Sequence, residues 1–154
     1  MSQPQVVYAH HIMDVPESDI ADLFGNGKIG IDYGMGEVYN KTAFKEEGKS
    51  TASINTMDSL RTEGGIVLGQ YHHDDLMLLG YVNQEKNISV KEAEDGTKIK
   101  TLQLDRYEQV HRADYPELFQ VSKSQIAVHN LDEDADTVRE IFKEIFDTNT
   151  LNSL

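Results

Sequence analysis

Ser50–Val82 reads STASINTMDSLRTEGGIVLGQYHHDDLMLLGYV, and the reading of this stretch decides the fold. Ile54, Met57 and Leu60 recur at helical spacing, and Ser50 or Thr51 stands where a helix cap belongs. The pattern stops at Gly64-Gly65, with Gly64 at the C′ position that favours a left-handed glycine. Two apolar runs follow, about Ile66–Tyr71 and Leu76–Val82, joined by the polar His72-His73-Asp74-Asp75. The spacing predicts a helix that delivers the chain into a β-hairpin, with aromatic and imidazole side chains near the turn. Small β-barrels built this way often carry a binding pocket beside the helix.

Outward from this core, Gln5–Ile12 (QVVYAHHI) reads as a first strand because β-branched and aromatic residues dominate it. Ser18 is the expected cap of a short helix whose apolar face is Ile20, Leu23 and Phe24, ended by Gly25-Asn26-Gly27. Lys28–Tyr33 reads as a short strand, and Asn40–Gly48 as a polar loop. Asn87–Val90 and Ile99–Leu104 form a further strand pair around an Asp95-Gly96 turn, with Tyr107–Val110 extending the second strand. Tyr115–Phe119 reads as a turn, and Gln125–His129 as the last strand. Val138, Ile141, Phe142, Ile145 and Phe146 make one face of a C-terminal helix, with Thr137 and Glu140 as its capping box and Thr148–Leu154 as a frayed tail. Consecutive strands flanked by helices give an α+β fold: a curved antiparallel sheet or small β-barrel over about residues 6–128, two short helices, and an amphipathic helix over about 136–147. The 154 residues are read as a single domain, 1–154.

Composition narrows function by exclusion. There is no cysteine, so disulfides, thiolate nucleophiles and Cys-type zinc sites are all excluded. No apolar run approaches the roughly 20 residues that span a bilayer, and no membrane partner is expected. The N-terminal MSQPQVVYAHH has no basic n-region and no long apolar h-region, so a cytoplasmic location without a signal peptide is expected. Net charge is −13, with 27 acidic against 14 basic residues. Asp132–Asp147 is strongly acidic, whereas Lys98, Lys100, Arg106, Arg112 and Lys123 form a comparatively basic stretch. That stretch is either a local basic face or part of a solvated surface of mixed sign.

The chain carries no G-x-S-x-G, H-E-x-x-H, phosphate-loop or dinucleotide fingerprint, so no catalytic residue and no cofactor is expected. Gly25-Asn26-Gly27-Lys28 follows a helix instead of opening one, which removes the physical basis for a phosphate site. His10-His11 and His72-His73, with Asp14, Asp74 and Asp75 nearby, are the residues a metal would use. Neighbours on a strand point to opposite faces, so each pair offers at most one inward imidazole. Polar turn and strand residues are the simpler reading, and no metal is expected. Tyr8, Phe24, Tyr33, Tyr71 and Tyr81 lie on or beside the predicted core elements, either as packing or as a slot for a stacked base.

The helix, GG-IVLGQY, polar tip and LMLLGYV, followed by LQLDRYEQV and DYPELF, resemble the PUA-like small β-barrels, which include EVE, YTH and ASCH domains. The resemblance covers about Val6–Val128. It implies a closed barrel that reads nucleic acid. It also implies a base held by Tyr33, Tyr71 and His72, in modified DNA more than RNA, as in the specificity modules of modification-dependent restriction and antiviral defence systems. Lys98, Lys100, Arg106, Arg112 and Lys123 would then contact the backbone. The cage tryptophans of EVE and YTH domains have no counterpart, since the chain has no Trp. Two other readings stand beside it. One is an acidic protein-interaction or inhibitor domain, alone or within a longer multidomain chain. The other is a small metal-dependent enzyme built on the histidine pairs.

Overall fold

A computed structural model of the protein describes residues 3–11, 13–32, 52–121 and 127–154. The elements are β1 (Val6–His10), α1 (Glu17–Asn26), β2 (Lys28–Ile31), α2 (Ala52–Glu63), β3 (Gly65–Gln70), β4 (Leu76–Val82), β5 (Ser89–Glu92), β6 (Lys98–Gln103), β7 (Arg106–His111), a 3-10 turn (Pro116–Gln120), β8 (Val128–Asn130), α3 (Ala135–Phe146) and α4 (Thr148–Asn152). The helix-to-hairpin reading of Ser50–Val82 holds over its described part. Gly64 adopts φ +79°, its N–H closes on the Leu60 carbonyl at 2.9 Å, and Gly65 pairs with Val82 to start the hairpin.

The fold is α+β, but the strands form two sheets that do not close into a barrel. A five-stranded sheet runs β7-β4-β3-β1-β8, and a three-stranded sheet runs β2-β6-β5. The larger sheet is mixed. β1 pairs in parallel with β3, with Tyr8 opposite Leu68, and antiparallel with β8. An all-antiparallel sheet is the sequence expectation. The chain between β1 and β3 contains α1, β2 and α2, however, and that is the long crossover a parallel pair needs.

Both faces of the larger sheet are covered, which explains why its central strands are apolar at nearly every position. Val6, Tyr8, Leu68, Met77, Leu79 and Tyr81 face α3, where Val138, Phe142 and Phe146 pack on them. Val7, Ala9, Val67 and Val82 face the other way, onto Ile54, Met57 and Leu60 of α2 and Ile29, Ile31 and Leu102 of the smaller sheet. Alternation within each strand therefore sorts side chains between two cores instead of between core and water. The Tyr8 hydroxyl is buried with no hydrogen-bond partner, and burial pushes its pKa up to about 12.

Several boundaries differ from expectation. α1 begins behind Pro16, so Ser18 lies in its first turn and is not the cap. α3 begins at Ala135 behind Asp134, which puts Thr137 inside the helix instead of in a capping box. The buried Ala135 draws the start one turn back. Arg106–His111 is a strand of its own that pairs with β4 in the larger sheet. Thr148–Leu154 is not frayed: Asp147 Oδ1 accepts the Thr150 N–H at 2.8 Å and Leu151 is buried. Among the described residues no helix is long and apolar enough to cross a membrane.

Candidate functional site

The tip of the β3–β4 hairpin is held by a chain of aromatic and imidazole side chains. His11, just past β1, is buried. Its Nδ1–H donates to the Gln70 carbonyl at 2.9 Å, and its Nε2 accepts the Gly30 N–H at 3.2 Å. These partners assign one neutral tautomer. Burial is the largest cause that lowers its pKa, to about 4, against the Gln70 bond and with the neighbouring His10 and His72 adding to the fall.

Tyr71 lies flat on His11, ring centroids 4.0 Å apart and planes within 15°. Phe24 meets it edge-on at 5.4 Å. Gly69 lies beneath the ring, where a Cβ would come within 2.9 Å of Tyr71 Cε1, so a larger residue there would displace it. The Tyr71 hydroxyl donates to the Lys28 carbonyl, and burial raises its pKa. One face of this ring is already stacked and its hydroxyl is bonded, so Tyr71 is a core residue in this conformation and not an open platform for a base.

His72 is more exposed. Its Nδ1 lies 2.7 Å from Glu17 Oε1 and its Nε2 lies 3.0 Å from the His11 carbonyl. His73 packs on the Phe24 ring at 4.8 Å. Tyr33 lies outside the described residues. The histidine pairs do not assemble as a metal site would require: both ring nitrogens of His11 and of His72 are occupied by protein groups. Among the described residues no group of three or more His, Asp or Glu side chains is placed to hold a metal.

The expected basic stretch is divided between the sheets. Lys98 and Lys100 lie on β6. Lys98 pairs with Glu92 at 3.2 Å, while Lys100 is fully buried and donates from Nζ to the Lys98 carbonyl at 3.0 Å. Arg106 and Arg112 lie on or just past β7. Arg106 covers the Phe146 ring at 5.7 Å. Arg112 covers Phe119 at 4.7 Å and donates from Nε to the Asp74 carbonyl at 3.0 Å. Lys123 lies outside the described residues. A buried lysine makes no phosphate contact as it stands, so these side chains form no single described basic face.

Among the described residues most other cations are tied to carboxylates. Lys86 meets Asp105 at 2.5 Å, Lys91 meets Asp22 at 3.0 Å, Arg61 meets Asp58 at 2.7 Å, and Arg139 meets Asp136 at 2.8 Å. The Asp22 hydrogen bond leads the causes that raise the Lys91 pKa. Among the described residues Arg106 and Arg112 are the exposed Lys and Arg residues, and the Lys143 side chain, paired with Glu140, is 37% exposed, whereas exposed carboxylates occur on α1, α2, β7, α3 and many loops.

Acidic groups converge at one cleft. It encloses about 380 Å³ between the 3-10 turn and α3, with Asp114, Glu117, Glu140 and Glu144 around Tyr115, Thr137 and Ile141. Glu140 and Glu144 fall one turn apart on α3, away from Val138 and Phe142. The sequence marks this helix as acidic, but only the fold brings Asp114–Glu117 beside it. A second cleft, about 360 Å³, lies where Gln3, Pro4 and Gln5 meet Glu63, Gly64 and Leu154, and Glu63 is the one acidic side chain in its lining.

No family model matches the chain, and no curated protein or solved structure matches it either.

Proposed function

We propose that the protein is an acidic docking domain that binds a Lys- and Arg-rich segment of a partner protein in the cleft between the 3-10 turn and α3. The observation that carries this reading is the convergence of Asp114, Glu117 and Glu144 on one cleft with Tyr115, Thr137 and Ile141, beside Glu140, which Lys143 already pairs at 3.1 Å. Apolar and acidic side chains lining one cleft suit a basic amphipathic segment: burial supplies contact, and the carboxylates choose sign and orientation. The surrounding field acts in the same direction. A net charge of −13 draws cationic partners from a distance and repels phosphate backbones. The role is binding, and no catalytic residue is assigned.

The nucleic-acid reading asks more of the same surface. It needs the Tyr71 ring freed from His11 and Lys100 brought out of the interior. One panel separates the two. Fluorescence anisotropy would compare a Lys/Arg-rich peptide, its Glu-substituted counterpart, and short DNA and RNA oligonucleotides, unmodified and base-methylated. The docking reading expects the basic peptide to bind at low salt. It expects Glu117→Gln with Glu144→Gln to weaken that binding about tenfold, roughly 1.4 kcal/mol. Preference for an oligonucleotide, or equal binding of both peptides, would overturn it.

A further inference from the structure

The two nitrogens of His72 both face oxygens that can only accept: Glu17 Oε1 at 2.7 Å and the His11 carbonyl at 3.0 Å. A neutral imidazole has one N–H and one lone pair, so it satisfies one of these oxygens and opposes the other. An imidazolium donates to both. We propose that His72 is a protonation-dependent clasp: as the imidazolium it ties the β3–β4 hairpin tip to α1 and to the end of β1, and on losing one ring proton to solvent it releases one of the two.

The geometry limits what moves. The far half of the tip is held independently, because the Arg112 backbone N–H donates to the Asp75 carbonyl at 3.0 Å and Gln70 Nε2 donates to the His73 carbonyl at 2.7 Å. The clasp therefore governs the contact between the tip and the first turn of α1, not the hairpin itself. Among the described residues, Glu17 on α1 and His11 past β1 face His72, and His73, Asp74 and Asp75 follow it on its own loop. Glu17 rewards the imidazolium. His11 keeps both nitrogens bonded as a neutral ring, so it presents no competing cation at the tip. The inference does not rest on the docking proposal, since the tip and the acidic cleft share no residue.

The test is thermal unfolding at low salt from pH 5.5 to 8, where carboxylates stay ionised, for the wild type, His72→Gln and Glu17→Gln. Imidazole nitrogen NMR of the wild-type protein accompanies it. Stability from a bound imidazolium is present at the acid end and lost as pH rises. The wild-type Tm should therefore fall by a few degrees relative to His72→Gln across this range, with Glu17→Gln between the two. NMR should show both His72 nitrogens protonated at the acid end, and the protection of the first-turn amides of α1, taken relative to their intrinsic exchange at each pH, should fall several-fold more in the wild type than in His72→Gln as one proton leaves. Parallel Tm curves for wild type and His72→Gln, or a His72 ring that changes protonation with no change in that relative protection, would overturn the clasp.

Discussion

His11 shows how one residue sets the acid limit of the fold. Its folded pKa is lowered to about 4 from an ordinary 6.5, so between these values the unfolded chain binds the proton that the native site refuses. The stability tied to this site is complete above about pH 6.5 and is lost as pH falls towards 4. The full loss is on the order of 3 kcal/mol. His11→Gln retains a donor for the Gln70 carbonyl and an acceptor for the Gly30 N–H, but it has no proton to gain. Denaturant titrations at pH 7 and pH 4.5 should show the wild type losing roughly 2 kcal/mol more than this variant, with the carboxylates cancelling in the difference. Equal losses would show that the imidazole is not held neutral. The role of His11 was only partly legible. The sequence limits His10-His11 to at most one inward imidazole, but it does not show which, or that Gly30 and Gln70 would occupy both of its nitrogens. Tyr71 is a related case, because a ring at a hairpin tip reads the same whether it faces a ligand or folds back over Gly69.

At the scale of elements, patterns carried within one segment were readable and those that need two segments were not. The α2–β3–β4 unit and the face of α3 follow from spacing alone. The parallel pairing of β1 with β3 depends on how residues 11–64 return, and the acidic cleft depends on Asp114–Glu117 meeting α3. The α3–α4 corner is a third case. Asp147 takes φ +95°, a conformation that side chains rarely adopt, while its carboxylate caps α4 through the Thr150 N–H. Its pKa is lowered chiefly by that backbone hydrogen bond. The cap and the strain oppose each other. Asp147→Ala loses the cap and keeps the strain, whereas Asp147→Gly loses the cap and relieves the strain. Differential scanning calorimetry should rank Tm as wild type, then Gly, then Ala. If Ala equals or exceeds Gly, the backbone at this corner is not strained as described.

The whole molecule is governed by an excess of negative charge that the fold disperses over its surface. Among the described residues most cations are held in local ion pairs, which leaves many carboxylates of α1, α3 and the loops to repel one another. Exposed pairs contribute little and are screened by salt, but repulsion summed over a net charge of −13 is screened by the same ions and acts over longer distances. Added NaCl therefore has two effects of opposite sign. Raising it from about 10 mM to about 500 mM shortens the Debye length from roughly 30 Å to about 4 Å, which relieves self-repulsion and should raise Tm by several degrees. The same change should weaken capture of a basic peptide, mainly through a slower association rate, because steering fails when the field is confined to the surface. Melting curves and stopped-flow association on one salt series test both halves together. A Tm that falls with salt would show that the local ion pairs outweigh the repulsion, and an association rate indifferent to salt would remove the field from the recognition step.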